Sequence, residues 1–470
     1  MTKILRWTAG TAALAMALTG AALVQADGPK SAVGAAVAPA APLLPAAPLL
    51  PAFPDFGHMP PPGQYQGRIF KLSQDYPKAR PALDAGVQRI LKIDFRKDWN
   101  AYLLAVRDYV YEGNIENRPV SEAFYLEDNK VRPWFHVPWQ HYGDFGRDGI
   151  HGLTKEGPVA PLSLGPLQKT LWQTYAVGFY NQQGGWAIGR MWADPNNPNV
   201  NAFKKEGFPE GTVVGKVLFT TAPVAEVPFL TAPLEWSAYT TKCFADNTPD
   251  PAKNCAVNRE MNTVRFIQMD IMVRDSRAKE TGGWVFGTFV YNGNLAQPNL
   301  WRNVVPVGLQ WGNDPGVKSY SESNPKPTET KINPDLKQTV INRSADLPPM
   351  HLGWGLRLNG PVDNTKSSCM SCHSTAQYPQ ISPILPFMAK ENGKPLSPGS
   401  EKWMNWFRNI QCNTPFDVQA TSTDFSLQLA ASVQNFVLAK GQQTEGKYSV
   451  EYWNGKPVNP ILGKRGVDAE

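Results

Sequence analysis

The sequence predicts an α+β protein: an antiparallel β-sheet with flanking helices and long Pro/Gly-rich loops. Three observations carry this. Between residues 209 and 291, "GTVVGKVLFTTA", "RFIQMDIMVRD" and "GGWVFGTFVYNG" are rich in Val, Ile, Phe and Thr and are bounded by Gly, Pro and Asp, as strands are. Apolar residues recur at helical spacing before and after that region. The 43 prolines and 39 glycines among 470 residues demand many turns. With 42% hydrophobic residues and 15 Trp, the chain can bury a sizeable core, which excludes a disordered protein.

Residues 1–26 read as an export signal. Lys3 and Arg6 precede the uncharged run "TAGTAALAMALTGAAL", and "VQA" at 24–26 has the small-x-small cleavage pattern. The run is diluted by Gly10 and Gly20 and falls short of a spanning helix. Cleavage is therefore expected, giving a periplasmic mature chain with no stable membrane insertion. Without Lys3 and Arg6, 44 basic residues face 40 acidic ones, an excess too small and too evenly spread for a nucleic-acid partner. Residues 27–66 carry a tandem "APLLPA" repeat and read as an Ala/Pro-rich linker, because Pro interrupts helices and central strands alike.

A mixed region is expected over 67–205. Its "DFRKDWNAYLLAVRDYVYEGN" puts Trp99, Tyr102, Leu103, Val106, Tyr109 and Val110 on one helical face, with Asp94 as candidate N-cap and Gly113 as the stop. The irregular "RPWFHVPWQHYGDFGRDGIHGLTKE" follows, with His136, His141 and His151, half of the six histidines. Three histidines so close suit a metal site, but they lack the HxxxH spacing of a helical site. The plainer reading is hydrogen-bonded loop histidines lining a cleft. The β domain is expected over 206–380, interrupted by a long Pro/Gly-rich stretch with little periodicity at 297–364. A C-terminal helical extension is expected over 381–470. There, Ser400 caps a helix bearing Trp403, Trp406, Phe407 and Ile410, and a second helix bears Phe425, Leu429, Val433, Phe436 and Val437 up to Gly441.

The chemistry is concentrated in "KSSCMSCHSTAQYP", residues 366–379, which holds two of the five cysteines. C-x-x-C-H is the attachment signature of a c-type haem. At i, i+3 and i+4, Cys369, Cys372 and His373 share one side of a helical turn. The two sulfurs can then form thioethers to the haem vinyls, with the imidazole as the proximal iron ligand. A zinc site would want a second Cys/His pair, and a thioredoxin-like pair would want a βαβ setting. One motif predicts one covalent haem c, with its iron, per chain. Cys243 and Cys255 flank a polar loop and should pair in an oxidising space, a closure contributing about 3 kcal/mol. Cys412 is expected as a buried free thiol beside Ile410.

In order along the chain, "FPEGTVVGKVLF", "MDIMVRDSRAKETGGWVFGTF" and "SSCMSCH" resemble the cytochrome P-460 and cytochrome c′-beta family. The likeness spans 208 to about 379. It departs from the family in the insertion at 297–364, in the ninety or so residues after the motif, and in 67–203. The resemblance implies an antiparallel sheet carrying one c-type haem whose iron is open to hydroxylamine, nitric oxide or another small ligand. Where a family lysine cross-links the haem, Lys216 is the nearest candidate, and Trp284, Phe286 and Phe289 could wall a pocket. The rival template is a helical cytochrome c, with Met388, Met404, His351 or an N-terminal histidine as the sixth ligand. Two roles remain: a monohaem cytochrome passing electrons to a redox partner protein, or a haem enzyme or sensor for a small molecule.

Overall fold

The antiparallel sheet lies at the centre of the computed structural model, which describes residues 52–143, 146–241, 259–318 and 326–445, with 452–453 and 456–457. Its strands are β1 (Thr154–Lys155), β2 (Thr174–Tyr180), β3 (Val213–Thr220), β4 (Glu235–Thr241), β5 (Arg259–Arg274), β6 (Trp284–Tyr291), β7 (Val304–Gln310) and β8 (Thr339–Ile341). The order is β1-β2-β3-β5-β6-β7-β8, with β4 paired to the first half of β5, and all pairings are antiparallel. The expected α+β class with flanking helices is what forms. Strands from before and after residue 206 share the one sheet, since β2 runs beside β3.

Strand side chains alternate between faces. One face carries Val217, Phe219, Met269, Ile271, Val273, Val285 and Phe289 into the main core. The helices α1 (Ala85–Lys92) and α2 (Trp99–Tyr111) cover this face with Val87, Ile90, Leu103 and Val106. The helix cap is Asp98, whose side chain accepts from Ala101 N, and not Asp94, which serves the preceding turn. The opposite face carries Val214, Met272, Trp284 and Phe286 against α3 (Gln182–Met191), α4 (Ala202–Lys205) and α7 (Leu427–Glu445). Two further helices, α5 (Cys369–His373) and α6 (Glu401–Met404), complete the set, and Ser400 caps α6 as expected. The last helix runs through Gly441, which does not end it.

Two features depart from expectation. The stretch 297–364 contains β7 and β8. The linker expected over 27–66 is docked where it is described. Phe53 is buried edge-on against Trp192 at 5.7 Å, and Asp55 pairs with Arg147 at 2.5 Å. The expected signal segment, most of the Ala/Pro repeat and the Cys243–Cys255 pair lie outside the described residues. Among the described residues, no helix is long and apolar enough to cross a membrane.

Candidate functional site

The motif forms its own short helix because its sequence caps it. Ser368 Oγ accepts from Ser371 N at 3.2 Å, and Ser371 Oγ accepts from Ser368 N at 2.7 Å, a reciprocal capping box. Distant segments then fix α5 in place. Gln310 of β7 accepts from Met370 N at 3.1 Å, Leu358 O accepts from Cys369 N at 2.9 Å, and Met370 is fully buried. Cys369, Cys372 and His373 are thus brought together on one turn, as the spacing predicts, and the two sulfurs are not bonded to each other.

His373 Nδ1 lies 2.7 Å from Phe425 O. A carbonyl oxygen only accepts, so Nδ1 carries the proton and the lone pair falls on Nε2. An imidazole that ligates iron needs this tautomer and a fixed ring. Phe286 packs at 5.0 Å from the ring. Two thiols three residues apart, followed by an imidazole with Nδ1 pinned to a carbonyl, fit one haem c. Cys369 and Cys372 would hold its vinyl positions and His373 its iron.

Beside α5 the sheet face turns polar. The register aligns Gly178, Lys216, Asp270, Thr288 and Gly308 in one row across β2, β3, β5, β6 and β7. Asp270 accepts from Thr288 Oγ1 at 2.8 Å and from Gln268 Nε2 at 2.7 Å; the same amide nitrogen reaches Asp363 at 2.8 Å. Burial above all, and then the charge of Asp363, push Asp270 up to about 7, against the pull of Lys216. Asp270 keeps a fringe of exposed surface, but the packing round its carboxyl is dense enough for desolvation to dominate. Lys216 pairs with buried Glu156 at 3.1 Å. Cys369 is likewise only partly covered, yet burial first, and then Asp270 and Asp363, raise its thiol well above the usual range. No single stretch of sequence signals this row, because its members are set side by side by strand register alone.

The other candidates disperse. Phe289 points into the α2 core, on the face opposite Phe286, so it walls no pocket beside His373. Met388 is 42% exposed, and Met404 packs with Trp403 and Phe407. His351 is half-buried at the end of the loop after β8. Among the described residues no group of His, Cys, Asp and Glu is spaced to hold a metal ion. His136 accepts from Ser73 N at 3.0 Å and lines a cavity of about 40 Å³ with His141, whereas His151 stacks on Trp236 at 4.2 Å. Burial lowers His136 to about 3, with Arg147 adding to the effect, and lowers His151 to about 4. His136 and His141 thus line a cleft as the plainer reading expects, whereas His151 lies outside it, with Nε2 3.2 Å from Ser237 O. Cys412 is a free thiol as expected, but it is half-buried, and its Sγ accepts from Arg274 Nη2 at 2.9 Å.

No family model matches the chain, and no curated protein or solved structure matches it significantly.

Proposed function

We propose that this chain is an exported monohaem c-type cytochrome working in periplasmic electron transfer or redox chemistry. The observation that carries the reading is the self-capped CMSCH turn with His373 Nδ1 held 2.7 Å from Phe425 O. Cys369 and Cys372 anchor the haem, and His373 presents Nε2 to the iron. Bound haem c supplies a one-electron iron couple. The protein's own part is to fix the imidazole, to exclude water with Phe286 and Met370, and to set the local charge through Asp270, Asp363 and Lys216. Export is supported by the charged start, apolar run and "VQA" site of the first 26 residues. The partner is a redox protein.

A second reading, a P-460-like haem enzyme or sensor with an open iron position, is favoured by two observations. Strands β3, β5 and β6 are adjacent, in the order of the resembling segments, and Met388 lies at the surface. The test is expression with the haem-attachment machinery. Intact mass should equal the mature chain plus one haem, and C369S or C372S should lower the yield of attached haem. A mass equal to the bare polypeptide sinks both readings. Carbon monoxide then separates them: rapid uptake by the reduced protein favours the open site, and no spectral change favours the electron carrier.

A further inference from the structure

The carbonyl that holds His373 sits on an unusual piece of backbone. Asp424 and Phe425 are successive non-glycine residues in the left-handed region, at φ 50° and 65°. L side chains avoid that region, and residues persist there when their surroundings over-determine them. The surroundings here are explicit. The buried Asp424 carboxylate accepts from Phe208 N at 2.7 Å, ahead of β3, and from Trp284 Nε1 at 3.1 Å, on β6. Asp424 N donates to Ser422 Oγ at 3.0 Å. On the far side, Ser426 Oγ bonds Tyr180 OH at 2.7 Å on β2. The turn is therefore bolted to the sheet on both flanks, and Phe425 O between them faces His373.

The geometry points to Asp424 as a positioning residue that fixes the strength and direction of the Phe425 O bond to His373 Nδ1, and through it the donor power of His373 toward iron. Partners of a ligating histidine set its ring orientation and basicity. Asp424 immediately precedes Phe425 in that turn. It acts by holding a strained turn that would otherwise relax and carry its carbonyl away. This rests on the reading of His373 as the iron ligand.

The test uses the haem-loaded protein and D424N. Asn keeps the size but puts an NH2 donor in place of one carboxylate oxygen, and Phe208 N and Trp284 Nε1 bond to different oxygens, so one of those two bonds must fail. Loosening the Phe425 bond leaves the imidazole a weaker donor, which favours reduced iron. We expect a lower iron–histidine stretching frequency by resonance Raman, and a higher midpoint potential. A tenfold change in the oxidised-to-reduced balance would read as about 59 mV for one electron. L103A, in the opposite core, is the control, compared at a matched loss of melting temperature and expected to move neither signal. If D424N does not accumulate, S422A removes only the Asp424 N bond and should shift both signals in the same direction by less. An unshifted frequency and potential in a folded, haem-loaded D424N or S422A overturns the inference, as does an equal shift in L103A. Absence of haem from the unaltered chain overturns the underlying reading instead.

Discussion

Replacing Asp270 with asparagine should change the pH dependence of stability more than stability at any one pH. In the folded protein Asp270 is raised from the ordinary 3.8 to about 7, by burial first and by Asp363 second. The unfolded chain restores the ordinary value. Below about pH 4 both states hold the proton and the group is neutral in its effect. As pH rises from about 4 to about 7 the unfolded state releases its proton first, so stability is lost across that window and levels off above it. At about 1.36 kcal/mol per pH unit the full shift corresponds to about 4 kcal/mol, and screening at the exposed fringe of Asp270 reduces this to about 2–4 kcal/mol. The D270N side chain would carry no such slope. Its own cost, a poorer partner for Gln268 Nε2 and Thr288, is the same at every pH. Urea unfolding of D270N and the unaltered protein at about pH 4.5, where part of the loss has already occurred, and about pH 8 should therefore show the variant gaining about 1.5–3 kcal/mol, relative to the unaltered protein, between the two conditions. Subtraction removes the titration of shared groups that do not interact with residue 270. A difference that stays constant with pH, within about 0.5 kcal/mol, would refute the reasoning, since the extrapolation error alone approaches that size.

Three further outcomes follow from packing and charge. Arg357 is fully buried and donates to Asn313 O at 2.7 Å, Asp314 O at 2.9 Å, Val317 O at 2.8 Å and Trp354 O at 3.1 Å, so R357M should cost about 3 kcal/mol in denaturant unfolding by leaving carbonyls unpaired. Gly293 packs so closely on the backbone that an added Cβ would meet Thr231 O; G293A should lose about 1–3 kcal/mol, measured the same way. In the haem-free chain Cys369, its thiol pushed up by burial and by two carboxylates, should alkylate several-fold more slowly than Cys372 at about pH 8, and D270N should narrow the gap; peptide mapping by mass reads both.

Much of the fold was legible because strand composition and helix periodicity are local. The strands β3, β5 and β6, the apolar face of α2 and the cap of α6 all follow from neighbours a few residues apart. β7 escapes such reading because Pro306 argues against a strand interior. The structure accommodates it at an irregularity, where the register shifts between Thr288 and Phe289 and Phe289 faces Pro306. Phe286 and Phe289 look like neighbours in sequence, yet they are three residues apart; with a period of two, that spacing puts them on opposite faces. Cys369, Cys372 and His373 were legible because the attachment chemistry proposed for them requires that spacing. The Lys216–Asp270–Thr288 row was not, since its members are separated in sequence and meet only through register. The acceptor for His373 had no signature at all: it is a main-chain carbonyl, and every residue has one.

That carbonyl also bears on what the chain after the motif is for. Read from the sequence, residues 381–470 are an extension behind a finished haem motif. In the structure the motif is unfinished without them. The strand pair Gln377–Tyr378 with Thr421–Ser422 brings the chain back beside α5, and the turn that follows delivers Phe425 O to His373 Nδ1. Asp424 then ties that turn to Trp284 and to Phe208 N, and Ser426 ties it to Tyr180. The motif that would bond the haem thus draws its geometry from β2, from the entry to β3, from β6 and β7, and from the turn that leads into the C-terminal helix. A short motif can specify where a haem is attached. On the proposed reading, the orientation of His373 is specified by contacts between segments far apart in the chain, which is a physical reason for so large a fold around one small site.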